Sequence, residues 1–534
     1  MNSLLKRNVL ANFVGRGWSA GLNLALIPVY GRLLGVEALG LIGFNALLNQ
    51  AFNLLDMGLS PTMARETARL THPGANEAPP VASDDPLENP AARLRCLVRT
   101  FELVYWPIAL VIAGVVTAAS FPLAHSWLHR AYLLKTSTVA HAICLMGVSI
   151  AVQWPYTLYE GGLIGLQRQV LLNGIITACA TLRGFGGVVV LWCWPTISAF
   201  FWWQVIAFSL QTLCVTIAFW SALPPSPTRA RFSLSLVADV WRFASAMTGV
   251  VALGFVLTQV DKFLLSRSLS LREYAYYTLA WSAAGGIYFI IAPLYSAYFP
   301  RFVHAVEDSR QDVTGSDKAA PLAPLYHQAC QVLSVTTLPV AAAMIVDPFA
   351  VMYTWTGSLS MSSHTMHYLQ LMAIGFGLFG LMHMALAMLL AAGNTRTVFF
   401  HNLISVALAV PACIYAIGRF GPAGAIGVWI VVNMGYLVVL APRVHRTLVP
   451  HQALSWAFVD VAIPVCTAVA AAMAAFTVMD CQLPILHLHS MRLSKLLEIS
   501  IVWLVSAICC ACVTPISRNA MRSYLENSWA GNHA

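Results

Sequence analysis

Long apolar segments dominate the chain, and short polar connectors separate them. About 20 mostly apolar residues suffice for a helix to cross the hydrocarbon core of a bilayer. By that criterion the sequence predicts about fourteen transmembrane helices, at roughly 10–34, 39–62, 98–123, 139–164, 170–194, 198–222, 243–265, 275–299, 328–350, 366–392, 398–418, 422–441, 455–478 and 496–516. The expected fold class is therefore an all-α polytopic membrane protein.

Two weak internal echoes indicate how these helices are grouped. GRLLGVEALGL (31–41) recurs as SRSLSLREYAY (266–276), and GLQRQVLLN (165–173) recurs as AGNTRTVFFHN (392–402). Each echo joins helices of the same ordinal position, and transporters built from such repeats bind substrate between them. The echoes predict two pseudo-symmetric six-helix lobes, at 1–222 and 243–441, joined by a cytoplasmic linker at 223–242. Two additional C-terminal helices are predicted at 455–516.

Composition and charge support a membrane location. Of the 534 residues, 59% are hydrophobic and 10% are charged, whereas a soluble domain averages about 25% charged residues. The net charge of +9 does not indicate nucleic-acid binding, because the cations lie in the connectors. With the N-terminus inside, 19 Lys and Arg fall in inside connectors and 9 in outside connectors, which predicts cytoplasmic N- and C-termini.

The remaining composition excludes several classes of site. The twelve cysteines show no His spacing typical of zinc, and the cluster Cys509, Cys510 and Cys512 lies in the last apolar segment without polar co-ligands, so neither a metal site nor a cofactor is expected. Lys6 and Arg7 precede an apolar segment that contains Arg16 and no small-residue cleavage site. That segment is expected to be a retained first helix, since a signal peptide would end in such a site.

Polar residues form a stripe along each of the first two predicted helices. Spacings of three and four residues place side chains on one helical face. Such stripes face a bundle interior or a water-filled cavity, or they join helices through Asn–Asn hydrogen bonds. The stripes are Asn12, Arg16, Ser19 and Asn23 in the first helix, and Asn45, Asn49, Asn53 and Asp56 in the second. Five of these are candidate cavity residues that bind substrate: Arg16, Asn23, Asn45, Asn49 and Asn53.

Two further charges lie within the fourth and fifth predicted helices. Arg183 lies mid-helix, where it needs water or a carboxylate, and Glu160 and Asp56 are the nearest candidates. Arg183 is therefore a further candidate for substrate binding. Glu160 is interpreted either as an ion-coupling carboxylate or as a helix-end acid paired with Arg168.

Asp261 and Lys262 adjoin near the outer end of the seventh predicted helix. Adjacent residues are about 100° apart on a helix, so the two side chains are expected to diverge. Lys262 is expected to extend outward to the interface, and Asp261 to point inward. The pair is interpreted as a structural ion pair at the membrane rim or as the mouth of a pathway.

The second lobe lacks the polar stripe of the first at the positions related by the repeat. The eighth predicted helix carries Trp281, Tyr288 and Tyr295 at seven-residue spacing instead. Aromatic faces fill protein cores, or they pack against sugar rings and acyl chains. An amphiphilic substrate would suit a polar first lobe and an aromatic second lobe.

Five stretches carry a resemblance to a known family, and they lie in a consistent order along the chain. They are PVYGRLLGVEALG (28–40), LLDMGLSPTMARETAR (54–69), YEGGLIGLQRQVLLNGI (159–175), TQVDKFLLSRSLSLREYAYY (258–277) and YFPRF (298–302). With the fourteen helices, they make the chain resemble the O-antigen and exopolysaccharide lipid flippases of the MATE-like exporter superfamily. RSLSLREYAYY departs from the family pattern, since it lacks the Gly pair common at that junction.

The resemblance implies two lobes in a V shape that alternate access across a bacterial inner membrane. The substrate would be undecaprenyl-diphosphate-linked oligosaccharide, moved from the cytoplasmic to the periplasmic leaflet for lipopolysaccharide or exopolysaccharide biosynthesis. Arg16 and Arg183 would meet the diphosphate. Coupling to H⁺ or Na⁺ would use the available carboxylates, Asp56, Glu160 and Asp261. A polysaccharide polymerase is an expected partner.

Three alternatives remain open at this point. A drug or cation antiporter and a lipid II flippase belong to the same superfamily, although cation exporters are expected to carry more acids within their helices. A polysaccharide polymerase or ligase represents a different class, an enzyme. Such enzymes carry catalytic groups on a large periplasmic loop, and the outside connectors here are short. The chain is therefore not expected to be an enzyme.

Overall fold

The computed structural model describes residues 3–56, 59–71, 89–127, 133–226, 230–233, 252–311, 322–482 and 490–515. Helices make up all the regular secondary structure in this part of the chain, which contains no strand. The predicted all-α fold class is confirmed.

The helices up to residue 268 are α1 (Ser3–Leu34), α2 (Val36–Asn53), α3 (Leu59–Leu70), α4 (Pro90–Pro122), α5 (Thr136–Gln153), α6 (Tyr156–Gly165), α7 (Gln169–Cys193), α8 (Ile197–Ala222) and α9 (252–268). They are followed by α10 (Leu271–Gly285), α11 (Tyr288–Gln311), α12 (Leu322–Val346), α13 (Pro348–Thr356), α14 (Leu359–Ala391), α15 (Thr395–Thr447), α16 (Ala453–Ser455), α17 (Ile463–Gln482) and α18 (Met491–Val513).

Contacts between these helices divide the chain into two compact units, Met1–Ala275 and Tyr276–Ala534. In the first unit α1 packs on α7, α5 lies against α4 and α8, and α3 packs on α6. In the second unit α14 packs against α11, α12, α13 and α15. The predicted lobe boundaries stay a prediction, because much of the proposed linker at 223–242 lies outside the described residues.

Ten helices in the described part of the chain are long and apolar enough to cross a membrane. They cover eleven predicted spans, because the spans predicted at 398–418 and 422–441 are both part of α15. α15 turns back on itself at Gly421, whose φ of 59° and ψ of −141° are open to glycine without steric cost. The remaining three predicted spans correspond to α1, to α2 with α3, and to α9, which is described only from residue 252.

Two helices of the first unit that were predicted to be continuous are interrupted. The span predicted at 39–62 ends as α2 at Asn53, and a 3₁₀ turn at Leu54–Asp56 precedes α3. The span predicted at 139–164 breaks between α5 and α6 at Pro155, which has no N–H to donate to the preceding turn. Hydropathy hid both breaks because the residues around them are apolar.

Close packing of α3 on α6 positions the residues that follow these breaks. A Cβ added at Gly161 would lie 2.4 Å from the carbonyl oxygen of Ser60, and one at Gly165 would lie 2.4 Å from that of Ala64. Small residues let helix backbones approach in a membrane, where van der Waals packing drives association. The two glycines thereby determine the depth and rotation of α6.

The Glu37 carboxylate connects the start of α2 to the segment before α5. Its oxygens accept the backbone N–H groups of Leu133 at 3.0 Å and Leu134 at 3.2 Å. In the sequence echo of this junction, Ser270 and Glu273 form a capping box at the start of α10. A Glu side chain accepts backbone N–H groups at both junctions. At the first junction the N–H groups belong to a distant segment, and at the second the N–H group belongs to the start of the same helix.

The two C-terminal helices, α17 and α18, pack against α12 through small and apolar side chains. The cluster consists of Leu338, Ala342, Ala343, Leu381, Ala468, Ala472, Ala475 and Val502. Lys495 of α18 lies 2.7 Å from Glu498 and 3.7 Å from Asp347, the residue that caps α13.

A buried carboxylate, Asp460, connects the N-terminal end of α17 to α12. It lies in a π-helical turn at Trp456–Ala462 and is fully buried. Its side chain pairs with His327 and accepts Gln331 Nε2 at 2.8 Å, while its backbone oxygen accepts Ser334 Oγ at 2.8 Å. The attachment of α17 to α12 is therefore polar at this end and apolar along its length.

Gly161→Ala is expected to destabilise the protein by about 1–3 kcal/mol, because its Cβ would overlap the backbone of α3. The measurement is the half-unfolding temperature of the purified chain in detergent. Gly174→Ala is the matched control, since a Cβ there meets nothing within 4 Å. Equal unfolding temperatures for the two variants would contradict the packing role of Gly161.

Candidate functional site

An ion pair joins α1 to α6 in the first unit. Arg16 Nη2 lies 3.0 Å from Glu160 Oε1. The Arg16 side chain is 62% exposed and the Glu160 side chain 21%, so one side of the pair remains open. Glu160 thus pairs with Arg16, and the alternative pairing with Arg168 does not occur in the described structure.

Tyr156 connects this ion pair to the second intramembrane arginine. Its buried side chain lies beside Glu160 and Gln211, and both Arg16 and Arg183 belong to its electrostatic surroundings. We call the five residues the arginine cluster: Arg16, Tyr156, Glu160, Arg183 and Gln211. The cluster carries two guanidinium groups and one carboxyl group, and it draws on α1, α6, α7 and α8.

Arg183 has neutral neighbours on α8. Its Nη1 donates to Gln211 Oε1 at 3.4 Å, and its guanidinium lies 4.6 Å from the centre of the Phe208 ring. Among the described residues no carboxylate forms an ion pair with Arg183. From the sequence, Arg183 needs either water or a carboxylate, with Glu160 and Asp56 as the nearest carboxylates. In the described geometry neither of them pairs with it, because Glu160 faces Arg16 and Asp56 accepts donors on α3, α4 and α6.

Asp56 lies at the break between α2 and α3. One carboxylate oxygen accepts Tyr105 Oη at 2.7 Å and Thr157 Oγ1 at 3.0 Å, and the other accepts the Ser60 N–H at 3.2 Å. The carboxylate therefore joins α4 and α6 while capping the start of α3. Thr157 lies one turn from Glu160, so Asp56 and the arginine cluster share α6.

Glu102 is a third carboxylate around α6, and the sequence reasoning did not select it. It is buried, and its oxygens accept Tyr159 Oη at 3.0 Å, Trp220 Nε1 at 2.8 Å and Arg99 Nη1 at 3.0 Å. Gln211 was also missed. The signal for Gln211 was the pair of glutamines at 204 and 211, seven residues apart in an apolar helix and both buried.

Comparison with solved structures relates this architecture to transporters. Lipid II flippase MurJ in an inward closed conformation matches with a TM-score of 0.67 and 12% identity, over 96% of this chain and 100% of that chain. An inward-facing multidrug resistance MATE family transporter of the MOP superfamily matches with a TM-score of 0.58 and 16% identity, over 80% and 94%. The MATE multidrug transporter DinF-BH, in a ligand complex, gives 0.55 and 12%, over 84% and 96%.

The chain has the MurJ- and MATE-like transporter fold. No protein-family model matches the sequence, and no curated protein matches it. The predicted resemblance to the MATE-like exporter superfamily is thus confirmed at the level of fold, and a multi-pass membrane protein is confirmed with it.

Within this transporter fold, the polar stripe of α1 turns away from α7. Leu26 and Tyr30 pack on α7, where Tyr30 Oη donates to the Gly184 carbonyl at 3.1 Å. Arg16 and Asn23 lie on an adjacent face, seven residues apart, and both are exposed. Asn12 lies outside the described side chains.

The stripe of α2 is partly satisfied within its own helix. Asn49 Nδ2 donates to the backbone oxygen of Asn45 at 2.9 Å and lies 3.3 Å from its side-chain oxygen. Asn45 and Asn49 are half-buried, and Asn53 is exposed. The described hydrogen bonds between the asparagines of the stripe therefore lie along α2, and their pattern differs from Asn–Asn contacts between two helices. Substrate binding by Asn23, Asn45, Asn49 and Asn53 stays a prediction.

Asp261 and Lys262 do not diverge as expected. Both side chains are buried, with Lys262 Nζ 3.5 Å from Asp261 Oδ1 and 2.7 Å from the Thr258 carbonyl oxygen. The expectation that Lys262 extends outward is wrong, because its stem folds back along α9 to reach a backbone carbonyl one turn earlier. A role for Asp261 in ion coupling stays a prediction.

The aromatic residues of the second unit fill a core. Trp281 lies 4.9 Å from Trp429 and 5.2 Å from Phe376, measured between ring centres. Tyr288 and Tyr295 both pack on His383, at 6.3 Å and 6.1 Å. These contacts favour the packing interpretation, although Tyr288 remains 45% exposed.

No group of three or more His, Cys, Asp or Glu side chains in the described part of the chain is arranged to hold a metal ion.

Cysteine substitutions at Asn23 and Asn53 are expected to react with a membrane-impermeant maleimide, because a thiol ionises and reacts only where water reaches it. The assay needs a background without the exposed native cysteines, Cys193, Cys466, Cys481 and Cys512. Asn173→Cys is the buried control, since Asn173 is 2% exposed. If neither cysteine reacts with maleimide added from either side of the membrane, a water-filled cavity at these stripes is ruled out.

Proposed function

We propose that the protein is a flippase that moves undecaprenyl-diphosphate-linked oligosaccharide from the cytoplasmic to the periplasmic leaflet by alternating access. It would act in surface polysaccharide biosynthesis at the bacterial inner membrane, with both termini in the cytoplasm and with a polysaccharide polymerase as a later-acting partner. The transporter fold supports the class of activity. The substrate is inferred from the charges of the arginine cluster.

The single observation that carries this proposal is Arg183, an intramembrane guanidinium that no described carboxylate neutralises. A charge within a membrane is costly and usually faces a partner or water. A diphosphate would supply the missing counter-charge, since a guanidinium donates two parallel hydrogen bonds to phosphate oxygens. Gln211 and Phe208 hold the side chain without competing for its charge.

The Arg16–Glu160 ion pair supplies a way to couple substrate binding to protons. A diphosphate that binds Arg16 competes with the Glu160 carboxylate for the same guanidinium. Protonation of Glu160 removes this competition, so proton uptake and substrate binding favour each other. In this scheme Arg183 is a permanent anchor, and Arg16 is available only when Glu160 is neutral.

The alternative is a cation-coupled exporter of small molecules or drugs, since the two MATE neighbours described above are named as multidrug transporters. Asp56, Glu102 and Glu160 around α6 favour it, because carboxylates attract cationic substrates. The extent of the structural match favours the lipid substrate. MurJ matches 96% of this chain, and the two MATE family transporters described above match 80% and 84%.

Arg183→Gln is expected to reduce flipping by roughly 10- to 100-fold, because a charge-assisted hydrogen bond is worth about 1.5–3 kcal/mol. The measurement is complementation of a deletion strain, scored for surface polysaccharide and for lipid-linked intermediate held in the cytoplasmic leaflet. Arg183→Lys keeps the charge and should restore part of the activity.

Arg419→Gln is the matched control for Arg183→Gln, since Arg419 is an exposed arginine on α15 outside the arginine cluster. Normal complementation by Arg183→Gln would remove the proposed diphosphate site. Single repeat units at the cell surface of the deletion strain would indicate that the missing activity is polymerisation.

Glu160→Gln is expected to bind undecaprenyl diphosphate more tightly than wild type in mildly alkaline buffer, because it mimics the protonated carboxyl group. In mildly acidic buffer the two proteins should bind alike. The measurement is direct binding to the purified chain in lipid nanodiscs. The ligand also gains protons at low pH, so variant and wild type are compared at each pH. If the difference in affinity between Glu160→Gln and wild type is the same at every pH, Glu160 is excluded as the coupling group.

A further inference from the structure

A groove runs along α15 in the second unit, between the two arms that meet at Gly421. Its first part has a volume of about 1050 Å³. At one end it is lined by Arg396, Arg443 and Arg446, and deeper by apolar side chains such as Leu408 and Val438. We call this the α15 groove. It therefore changes from cationic to apolar along its length.

A second cavity of about 600 Å³ continues the groove toward Gly421. The two cavities share Leu408, Val431 and Val432. Only Ala, Gly, Val, Leu and Phe line the second cavity. The continuation offers no polar partner, so it suits hydrocarbon alone.

The cations at the entrance of the groove are available to a ligand. Arg396, Arg443 and Arg446 are exposed, and within the described residues none of them forms an ion pair with a carboxylate. Arg396 lies 5.6 Å above the Phe400 ring, which leaves the edge of its guanidinium open. Three guanidinium groups at the entrance attract an anionic group with several phosphate oxygens.

Contacts between the two arms of α15 join the walls of the groove to each other. Tyr436 Oη donates to Asn402 Oδ1 at 2.5 Å, and the His401 ring lies 4.3 Å from the Tyr436 ring. Gly435 lines the groove beside them, and a Cβ there would meet nothing within 4 Å. The space above Gly435 is therefore open, and a side chain placed there would fill it.

We propose that the α15 groove binds an anionic phospholipid of the leaflet at which its arginines lie. The head group would contact Arg396, Arg443 and Arg446, and an acyl chain would follow the apolar walls. By the charge bias of the connectors these arginines face the cytoplasm, where anionic lipids attract basic residues at membrane surfaces. This site is separate from the arginine cluster and does not depend on what the protein transports.

The depth of the groove supports a membrane phospholipid over a soluble anion. Arg396 and Leu408 are twelve residues apart on one helix, which corresponds to about 18 Å. Half of the hydrocarbon core measures about 15 Å. The first cavity thus extends through about one leaflet, with its cations at the depth of the head groups.

The test measures lipid binding to the purified full-length chain in detergent by native mass spectrometry. Three phospholipids with the same type of acyl chain are compared: phosphatidylcholine, phosphatidylglycerol and diphosphatidylglycerol, whose head group carries two phosphodiester groups. The two anionic lipids should bind at least tenfold more tightly than the zwitterionic one. The triple variant Arg396→Gln, Arg443→Gln, Arg446→Gln should weaken anionic binding about a hundredfold, at about 1 kcal/mol per arginine.

A second variant tests the groove without changing charge. Gly435→Phe should also weaken binding at least tenfold, because its ring would occupy the open space over the helix. Arg419→Gln and Gly418→Phe are the controls, since both positions are exposed on α15 and neither lines the groove. Both controls should bind the anionic lipids as wild type does.

Three outcomes would overturn the proposal. Equal binding of zwitterionic and anionic lipids would show that the arginines do not select the head group. Unchanged binding in both the triple variant and Gly435→Phe would place the lipid elsewhere. Undecaprenyl diphosphate could displace the phospholipid from wild type and from Gly418→Phe but fail to do so in Gly435→Phe. That result would assign the groove to the undecaprenyl tail instead.

Discussion

Backbone contact between α3 and α6 is the constraint on which the polar chemistry of the first unit depends. Gly161 and Gly165 let the two backbones approach so closely that a Cβ at either position would overlap the backbone of α3. Its preceding turns then present Thr157 to Asp56 and Glu160 to Arg16. Both acids would face different partners if α6 turned by one residue, which is about 100°.

The charges of the first unit differ in how they are satisfied. Asp56 and Glu102 each accept hydrogen bonds from several neutral or charged donors on neighbouring helices. Glu160 faces a guanidinium that is largely exposed. The Arg183 guanidinium donates to the Gln211 amide oxygen and lies over the Phe208 ring, and both of these neighbours are neutral. The carboxylates of Asp56 and Glu102 therefore connect neighbouring helices. The guanidinium groups of Arg183 and, once Glu160 is neutral, of Arg16 are the groups available to an anionic ligand.

Spacing along the sequence predicted some parts of the site and could not predict others. The recurrence of Arg16 and Asn23 placed them on one face, because helical geometry alone determines which residues share a face. The partners of Arg183 and Asp56 depend on how α4, α6 and α8 pack, and no local pattern contains that information. Side-chain direction alone could not predict the position of the Lys262 ammonium group, because that group reaches the backbone carbonyl of Thr258 one turn earlier on the same helix. The breaks at Asn53 and Pro155 escaped hydropathy, since a membrane helix and two shorter ones can have the same apolar content.

The Asp460 contacts bear on how the C-terminal helices relate to the rest of the second unit. Gln331 and Ser334 of α12 both donate to this one residue of the π-helical turn. A chain shortened before that turn would remove both of these acceptors, and an unsatisfied polar group in lipid costs several kcal/mol. Evolutionary loss or laboratory truncation of the last two helices together with this turn would therefore favour compensating apolar substitutions on α12, so the helix pair and its turn are an integral part of their unit.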